Sequence, residues 1–450
     1  MDIDGCFYTI PAIVGYRRPQ LDDTSVGRYF DEALLCDFLR NDPRIVRLEI
    51  ACYDFRDDDR RELGLAIGNS TNLRELIIGG DWQNFSLEEY CFSWIAQNRS
   101  IEIFNSSNFC FTEEEFALLA PFFEHNRNLR CIELEYGNAS VCIPTLISAL
   151  SHLDMNRLAR IDLGGSNIGD RNAADLVNTL HEMSGLQNLL DLWLRENMIG
   201  RDGCLALRSL LKNPKCGIIS LDLSINLVDD ECIGILVGGF VVCDTLKSLS
   251  IGAQRLLTTT GWNTFSTFVS SSKCLLENIV LYQTCCVNES ATTLGNSLAM
   301  NATLTCLDIS FNDFIPPFAC CRGLLNSLAP TSAILELILE GWKVNDDGAL
   351  LLFSTLANNA TVKKLKIRSG NITPAGWVAC FRRLIDSRSV LTDMDFEDNI
   401  IDDEGVSALV DLVARHMDTV SSLNLFQNPA ISFPRMFSII RQCLGSQLFL

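Results

Sequence analysis

The residues that most often carry catalysis are few and dispersed in this sequence. It contains four histidines among 450 residues, and they are His125, His152, His181 and His416. A nucleophile, a base and an orienting group must lie within hydrogen-bond reach of one another, but each histidine falls in or just after a segment with helical spacing, away from other titratable clusters. Nucleophile-elbow, zinc-protease, P-loop and dinucleotide-binding motifs are also missing from any strand-to-helix context. We therefore predict a protein that is not an enzyme and has no cofactor.

Cysteine is frequent, but its spacing indicates neither a disulfide framework nor a metal site. The nineteen cysteines are odd in number and scattered over the chain, at a density far below that of disulfide scaffolds. The adjacent pairs Cys285-Cys286 and Cys320-Cys321 lack the C-x-x-C spacing of zinc ligands. Many cysteines occupy apolar positions, as free thiols do in a reducing compartment. We predict buried, reduced thiols and no metal site.

Nine N-x-S/T triplets would indicate glycosylation of a secreted protein. They begin at Asn69, Asn84, Asn98, Asn105, Asn138, Asn288, Asn301, Asn359 and Asn371. Asn98, Asn301 and Asn359, however, lie three residues before a recurring apolar position, as does Asn126, and the N-terminus carries no basic stretch typical of a signal peptide. The longest apolar stretch, from Cys232 to Cys243, is too short for the roughly 20 residues that span a bilayer. We expect structural asparagines, a cytoplasmic or nuclear location and no membrane association.

The apolar residues themselves follow one long-range pattern. The frame L-x-x-L-x-L recurs at intervals of 28 to 31 residues, and it opens at Ile45, Leu73, Ile101, Leu129, Leu158, Leu189, Ile218, Leu246, Leu276, Leu304, Ile334, Val362, Leu391 and Val420. Such self-similarity is typical of a solenoid of stacked units. We predict a repeat domain over 45–430, with helical caps over 1–44 and 431–450 that cover its ends. The third repeat could instead open at Ile103, but the regular interval favours Ile101.

Within a repeat the spacing of apolar residues changes from that of a strand to that of a helix. In the unit that opens at Ile218, Leu221 and Leu223 alternate with polar residues, which predicts a short strand. Asn226 then marks a turn, and apolar residues at helical spacing follow. Because each strand is followed by a helical crossover, successive strands must pair in parallel with the helices outside. Helices are wider than the strand spacing, so an α/β horseshoe with a concave parallel sheet and convex outer helices is predicted.

The N-x-x-L leads and the L-D-L-S-x-N core, as at Leu221 to Asn226, resemble the leucine-rich repeats of the ribonuclease-inhibitor-like class. The resemblance covers roughly residues 45 to 430 and about fourteen repeats. It implies a protein that binds other proteins, similar to the repeat regions of NOD-like receptors, ribonuclease inhibitor and Ran GTPase activators. The shared frame does not separate these three.

Alternation along each strand also indicates which side chains face the concave side. Four positions of each repeat do so, and the fourteen repeats place fifteen acidic and six basic residues there. The acids are Glu49, Glu75, Glu133, Glu135, Asp162, Asp191, Glu196, Asp222, Asp308, Glu336, Glu340, Asp393, Asp395, Glu397 and Asp398, and the bases are Arg47, Arg160, Arg195, Lys364, Lys366 and Arg368. An acidic wall disfavours nucleic acid and favours a basic or mixed-charge protein, unless its aspartates only fill the common L-D-L frame. We expect Lys364, Lys366 and Arg368 to pair with acids on neighbouring strands.

Aromatic residues on the same wall are the best candidates for partner contact, because exposed aromatics anchor many interfaces. Trp193, between Asp162 and Asp222 on adjacent strands, is the leading one, although it could instead pack against its own neighbours. The predicted partner-binding residues are Glu133, Glu135, Tyr136, Asp162, Trp193, Arg195, Asp222, Tyr282, Asp308, Phe311 and Trp342. Phe426 lies on the same wall.

Taken together, these patterns predict a monomeric interaction scaffold that holds a protein partner on its acidic concave face. One alternative is a GTPase-activating protein similar to the Ran activators, although the acidic tail typical of that group is missing here. The other is a regulator similar to ribonuclease inhibitor or the immune sensors. The identity of the partner lies beyond what the residues indicate.

Overall fold

A computed structural model of the chain describes residue 39 and the ranges 45–51, 57–79, 89–137, 139–152, 157–283, 288–312, 319–330, 332–342, 344–415 and 420–432. The chain forms two compact units, Met1–Asp222 and Leu223–Leu450. Their boundary falls inside the predicted repeat domain. The predicted caps lie outside the described residues, apart from the buried, helical Leu39 and the residues 431 and 432.

The first unit alternates seven strands with six helices in its described part. The strands are β1 (Arg47–Ala51), β2 (Glu75–Gly79), β3 (Ile103–Asn105), β4 (Cys131–Glu133), β5 (Arg160–Asp162), β6 (Asp191–Trp193) and β7 (Ser220–Asp222). The helices are α1 (Asp57–Asn69), α2 (Glu89–Ile95), α3 (Glu113–His125), α4 (Ala139–His152), α5 (Asp170–Glu182) and α6 (Arg201–Leu211). A 3-10 turn, Leu186–Asn188, precedes β6. Each strand pairs in parallel with the next one along the chain.

The second unit repeats the same plan. Its described strands are β8 (Ser248–Ser250), β9 (Asn278–Val280), β10 (Cys306–Asp308), β11 (Glu336–Ile338), β12 (Lys364–Lys366), β13 (Asp393–Asp395) and β14 (Ser422–Asn424). Its helices are α7 (Asp230–Phe240), α8 (Thr259–Val269), α9 (Asn288–Met300), α10 (Ala319–Leu325), α11 (Asp346–Leu356), α12 (Pro374–Leu384) and α13 (Asp403–Arg415), with a 3-10 turn at Asn326–Leu328. These strands too pair in parallel and in chain order.

The strand register confirms the repeat frame. Ile103 pairs with Glu75, so the third repeat opens at Ile101 and not at Ile103. The apolar positions of the frame are buried; in the sixth repeat Leu189, Leu192 and Leu194 have almost no solvent exposure. Consecutive helices pack against each other within each unit. The leucines of the frame therefore form the core between the strands and the helices, as the pattern predicts.

The turn that leaves each strand has a residue in the left-handed backbone region. It is the eighth position of every repeat from the third to the fourteenth, and its φ lies between 49° and 65° at Asn108, Tyr136, Gly165, Glu196, Ile225, Ala253, Gln283, Phe311, Gly341, Ser369, Asp398 and Gln427. Left-handed backbone is uncommon outside glycine and is especially so for a β-branched residue such as Ile225. The turn is therefore imposed by the stacked repeats and not by local residue preference.

Asparagine at the ninth position links neighbouring repeats. The Nδ2 group of Asn399 donates to the carbonyl of Ile367 in the preceding repeat at 2.7 Å, and its Oδ1 accepts from the amide of Gly370 at 2.9 Å. Asn197 makes the same kinds of bond to Leu163 and Ser166. The prediction that this asparagine satisfies backbone groups in the turn is confirmed.

The asparagines three residues before the frame are also structural. Asn98, Asn126, Asn301 and Asn359 are buried, and the Nδ2 group of Asn359 donates to the carbonyl of Leu328, 31 residues earlier, at 3.0 Å. Its Oδ1 accepts from the amides of Thr361 and Val362. Burial of Asn98, Asn301 and Asn359 is incompatible with glycosylation in the folded chain, so three of the nine triplets belong to the repeat.

A second set of contacts joins the helix starts. Asp170, the first residue of α5, accepts hydrogen bonds from the amides of Gly200 and Gly203 at the start of α6, at 2.8 and 2.7 Å. Asp346 likewise accepts from the amide and hydroxyl of Thr373 before α12, at 2.8 and 2.5 Å. The first amides of a helix lack intrahelical partners, and a carboxylate there is also favoured by the helix dipole. Asp170 therefore caps the helix of the following repeat directly, and Asp346 holds Thr373, the N-cap residue of the following helix.

Among the described residues no cysteine forms a disulfide, and most cysteines are buried. Cys91, Cys131, Cys142, Cys204, Cys216, Cys232, Cys243, Cys274 and Cys380 are buried, Cys306 is half-buried and Cys110 is exposed. Burial raises the pKa of Cys142 and of Cys380 to about 12, and burial together with Glu336 raises the pKa of Cys306 to about 11. These three thiols stay protonated at neutral pH, and the predicted burial of the cysteines is confirmed for most of those described. None of the described helices has the length and apolar character that spanning a membrane requires.

Candidate protein interface

The sheet face is defined here as the third, fifth, seventh and eighth positions of each repeat. In the first unit, the strand register places Glu133 beside Asp162, Asp162 beside Trp193, and Trp193 beside Asp222. Seven of the eleven predicted partner-binding residues, Glu133, Glu135, Tyr136, Asp162, Trp193, Arg195 and Asp222, thus lie on or directly after four consecutive strands. Tyr282, Asp308, Phe311 and Trp342 belong to the second unit.

Trp193 is half-buried and packs within its own sheet. The guanidinium carbon of Arg160 lies 4.4 Å from the centre of a Trp193 ring, and the indole Nε1 donates to the Ser220 hydroxyl at 3.1 Å. Arg160 also pairs with Asp191 at 2.9 Å and with Glu133 at 3.7 Å. Arg160 thus already occupies the ring face on which a cationic group of a partner would stack. The structure therefore favours a packing role for Trp193 over that of a free anchor.

Tyr136 forms a second aromatic pair with an arginine. Its side chain is 41% exposed, and Arg195 donates to its hydroxyl while lying 5.1 Å from its ring centre. Arg195 also lies 3.7 Å from a carboxylate oxygen of Glu135. A side chain at Gly165 would collide with the Tyr136 ring, so glycine there lets the ring lie flat on the backbone of the next repeat.

Asp162 does not lie on the exposed wall as predicted. It is 4% exposed and accepts a hydrogen bond from the amide of Gly164 at 3.0 Å. Burial, followed by the charges of Glu135 and Glu133 and a hydrogen bond with Glu135, raises its pKa to about 7 in spite of the Gly164 amide. The larger neighbours Tyr136, Trp193 and Arg195 cover this strand, so exposure of Asp162 to a partner was the wrong expectation.

The expected accessibility of Trp342 to a partner is also wrong. It is 1% exposed, because it occupies the ninth position, where Asn197, Asn226, Asn312, Asn399 and Asn428 are also buried. In this repeat the ring fills space that elsewhere holds the asparagine. Trp342 belongs to the core and not to an exposed surface.

The remaining candidates of the second unit are accessible. Asp308 is half-buried and accepts from the amide of Ser310 at 2.9 Å. Phe311 is 45% exposed and, like Tyr136, its ring lies against a glycine of the next repeat, Gly341. Tyr282 is half-buried, and its backbone and ring approach Gly252 closely. Phe311 is therefore the more exposed of the two aromatic side chains.

The basic stretch Lys363 to Arg368 pairs with acids on the neighbouring strands, as predicted. The register places Lys364 between Glu336 and Asp393, and Lys366 beside Asp395. The Lys366 ammonium lies 2.7 Å from Glu336. Arg368 lies 2.6 Å from Asp395 and 3.1 Å from Glu397. The stretch is a set of internal ion pairs, so it does not form a phosphate site.

Every basic residue of the sheet face has an acidic partner on the same face. Arg47 pairs with Glu49 and Glu75, Arg160 with Glu133 and Asp191, Arg195 with Glu135, Lys364 and Lys366 with Glu336, and Arg368 with Asp395 and Glu397. Among the described residues, the carboxylates of Asp308, Asp393 and Asp398 accept hydrogen bonds from neutral amide or hydroxyl groups only. The negative charge of these three aspartates is not compensated within the face.

A depression of about 540 Å³ opens on the sheet face of the second unit, at β11 to β14. Its floor contains the buried Leu365, Met394 and Leu423, and its polar walls include Glu336, Lys364, Asp393, Glu397 and Asn424, with Phe426 at the edge. The volume is in the range of ligand-binding clefts. The sequence pattern assigns the polar side chains and Phe426 to the face, but it carries no signal for a depression, which depends on the side-chain directions of four strands.

Two curated proteins are similar to part of the chain. Over 241 residues, 53% of this chain, it is 27% identical to Protein CARMIL of Dictyostelium discoideum. Over 199 residues, 44% of this chain, it is 28% identical to the mouse NACHT, LRR and PYD domains-containing protein 4E. The matched part spans only 20% of the length of each relative. No family model matches the chain.

Solved structures with a similar arrangement share little sequence with it. The yeast Rad7 and Elc1 complex contains a chain with a TM-score of 0.42 and 15% identity, over 94% of this chain and 88% of that one. A Listeria monocytogenes internalin has a TM-score of 0.37 and 14% identity, over 83% and 86%. At these scores the likeness supports no argument about function. The strand, turn and helix units and the two curated relatives together show that the chain is a leucine-rich-repeat protein, similar to the ribonuclease-inhibitor-like class.

Proposed function

We propose that this chain is a non-catalytic scaffold that binds a basic or mixed-charge protein on its sheet face. The observation that supports the proposal most is the charge arrangement of that face. Its basic residues already have acidic partners, whereas Asp308, Asp393 and Asp398 are held by neutral donors only. Uncompensated carboxylates attract cationic groups and speed their association.

The accessible aromatic rings of the face support the same proposal. Tyr136, Phe311 and Phe426 are all exposed. Phe311 belongs to the same repeat as Asp308, and Phe426 belongs to the repeat that follows Asp393 and Asp398. Aromatic side chains supply contact area with few rotatable bonds, which is why they are enriched at interfaces. A basic partner can thus find both charge and apolar area on one surface.

The proposal includes a cytoplasmic location. Buried cysteines that form no disulfide in the described part of the chain support it, because such thiols are typical of reducing compartments. Fractionation of cells that express the tagged chain would test this point.

The test of the function is a comparison of charge-reversal variants that change net charge equally. Asp222→Lys and Asp308→Lys alter the sheet face, whereas Asp175→Lys on α5 and Glu289→Lys on α9 alter exposed helix positions. Binding of a panel of arginine- and lysine-rich peptides is measured by fluorescence anisotropy. We expect the face variants to lose about tenfold in affinity and the helix variants to lose little, because a nearby reversed charge repels directly. Equal losses in both sets would contradict the proposal.

A further inference from the structure

Most polar groups in the depression between β11 and β14 are satisfied within the protein. The Asn424 side-chain amide donates to Asp395 and to Glu397, both at 3.1 Å. Asp395 and Glu397 also hold Arg368. These contacts fix the central part of the depression, so a ligand would gain little from Asp395.

Asp393 is the exception at one end of the depression. Its carboxylate accepts from the hydroxyl of Thr392 at 2.6 Å and from that of Ser421 at 3.3 Å. Lys364 lies beside it in the register, but the nearest acidic oxygen to the Lys364 ammonium is that of Glu336, at 3.9 Å. Among the described residues no basic side chain forms an ion pair with Asp393, so its carboxylate can accept a further charged donor.

Phe426 marks the other end. Its ring is 59% exposed, and its amide donates to the side chain of Asn424 at 3.0 Å, which fixes the turn that carries it. Glu397 occupies the same repeat position one strand away. An exposed aromatic face is a favourable site for a guanidinium or ammonium group.

The two ends have a spacing that an extended chain can match. Asp393 and Phe426 are four residues apart along the strand direction and one strand apart across it, a separation of roughly 14 Å from strand geometry. In an extended segment, side chains four residues apart lie on the same side and are about 13 Å apart. The four acids and two lysines that line the depression leave it with a negative charge.

We propose that this depression binds an extended segment of a partner protein that carries two basic side chains four residues apart. One pairs with Asp393, and the other stacks on Phe426 beside Glu397. The inference rests on the proposed function, since it names the kind of partner segment that the acidic face takes.

The test uses two labelled peptides of about nine residues with the same composition. One has arginines four residues apart and the other has them two residues apart, in a background of serine and threonine. Affinity of the whole chain for each is measured by fluorescence anisotropy. We expect the wider spacing to bind about three- to tenfold more tightly, because only that peptide reaches both ends.

Variants then assign the preference to the site. Asp393→Asn and Phe426→Leu should each abolish the preference for the wider spacing, whereas Asp308→Asn, on the same face but outside the depression, should keep it. Unchanged melting temperatures would show that the variants fold. A preference that survives both Asp393→Asn and Phe426→Leu, or equal binding of the two peptides by the wild type, would overturn the inference.

The outcomes distinguish binding of a spaced basic segment in the depression from general binding of basic proteins on the sheet face. If both peptides bind equally and Asp222→Lys weakens both, the acidic face binds basic segments but the depression is not their site. If the wild type binds neither these peptides nor any member of the basic panel, both proposals fail.

Discussion

At the scale of single residues, aromatic side chains of the same face can have different roles. Trp193 and Phe426 are both aromatic residues of the sheet face, but Arg160 and Ser220 contact Trp193, whereas Phe426 is mainly exposed. The sequence pattern could identify both as facing residues because strand alternation is regular. It could not rank them, because the ranking depends on which neighbour each side chain turns toward.

The first prediction concerns the buried carboxyl of Asp162. Its pKa in the folded chain, about 7, is raised above that of an unperturbed aspartate by burial and by Glu135, so the native state holds the proton more tightly than the unfolded state does. The stabilising contribution is therefore complete below about pH 4 and is lost as the pH rises through 7. Asp162→Asn, which stays neutral, should gain in melting temperature relative to the wild type between pH 5 and pH 8.

Thermal unfolding at a series of pH values checks this. The control is Asp191→Asn. This substitution changes an aspartate on the next strand that is less buried than Asp162. A difference between Asp162→Asn and wild type that is constant with pH would mean that Asp162 is ionised throughout.

The second prediction concerns thiol reactivity. Alkylation of the native protein at neutral pH should label the exposed Cys110 and leave Cys142 and Cys380 unlabelled, because burial raises the pKa of the latter two to about 12 and only the thiolate reacts. Peptide mass spectrometry gives the extent of labelling, with the denatured protein as the control for full reaction. Rapid labelling of Cys380 in the native protein would show that this core opens.

At the scale of elements, the order of strand, turn and helix in each repeat could be predicted from the sequence. The contacts between neighbouring repeats could be predicted only in part. The strand, turn and helix order follows from the change of apolar spacing, and Asn399 and Asn359 could be assigned to turns from their positions. The helix-capping role of Asp170 and Asp346 was not predicted, because the amides that they bind belong to the next repeat. A sequence signal for this contact is glycine as the third residue of the following helix, as at Gly203 and Gly376. A larger side chain there would collide with the aspartate.

The third prediction tests this cap. Asp346→Ala should reduce the free energy of unfolding by about 1–2 kcal/mol, since it removes the acceptor of the amide and hydroxyl of Thr373, and the Thr373 hydroxyl in turn caps the Gly376 amide of α12. Asp347→Ala, the next residue of α11 and exposed, should cost less than about 0.5 kcal/mol. Urea unfolding of the two variants gives both values. Equal costs would contradict a capping role for Asp346.

At the scale of the whole molecule, fold and function are encoded by different residues. The recurring leucines determine the repeats. The acidic residues that give the chain its formal net charge of -20 lie partly on the sheet face. Which residues belong to that face could be predicted; how deep each one lies could not, as Asp162 shows. Depth depends on the size of neighbouring side chains in adjacent repeats, which differ from repeat to repeat.

The fourth prediction follows from this charge. Association of a basic peptide with the chain should slow by about tenfold or more when the salt concentration rises from about 50 to 500 mM, because screening shortens the range of the attraction. Stopped-flow fluorescence measures the rate, and an uncharged peptide of equal length is the control. A rate that does not depend on salt would indicate binding through apolar contacts alone.

The most direct test of the central claim is hydroxyl-radical footprinting of the chain with and without a bound basic protein. The sheet face and the helices each carry exposed, reactive side chains: Tyr136, Phe311 and Phe426 on the face, and Met300 and Leu350 on α9 and α11. Binding on the sheet face predicts protection of one or more of the three aromatic residues, with Met300 and Leu350 oxidised as before. Protection of Met300 and Leu350 with the aromatic residues unchanged would contradict it.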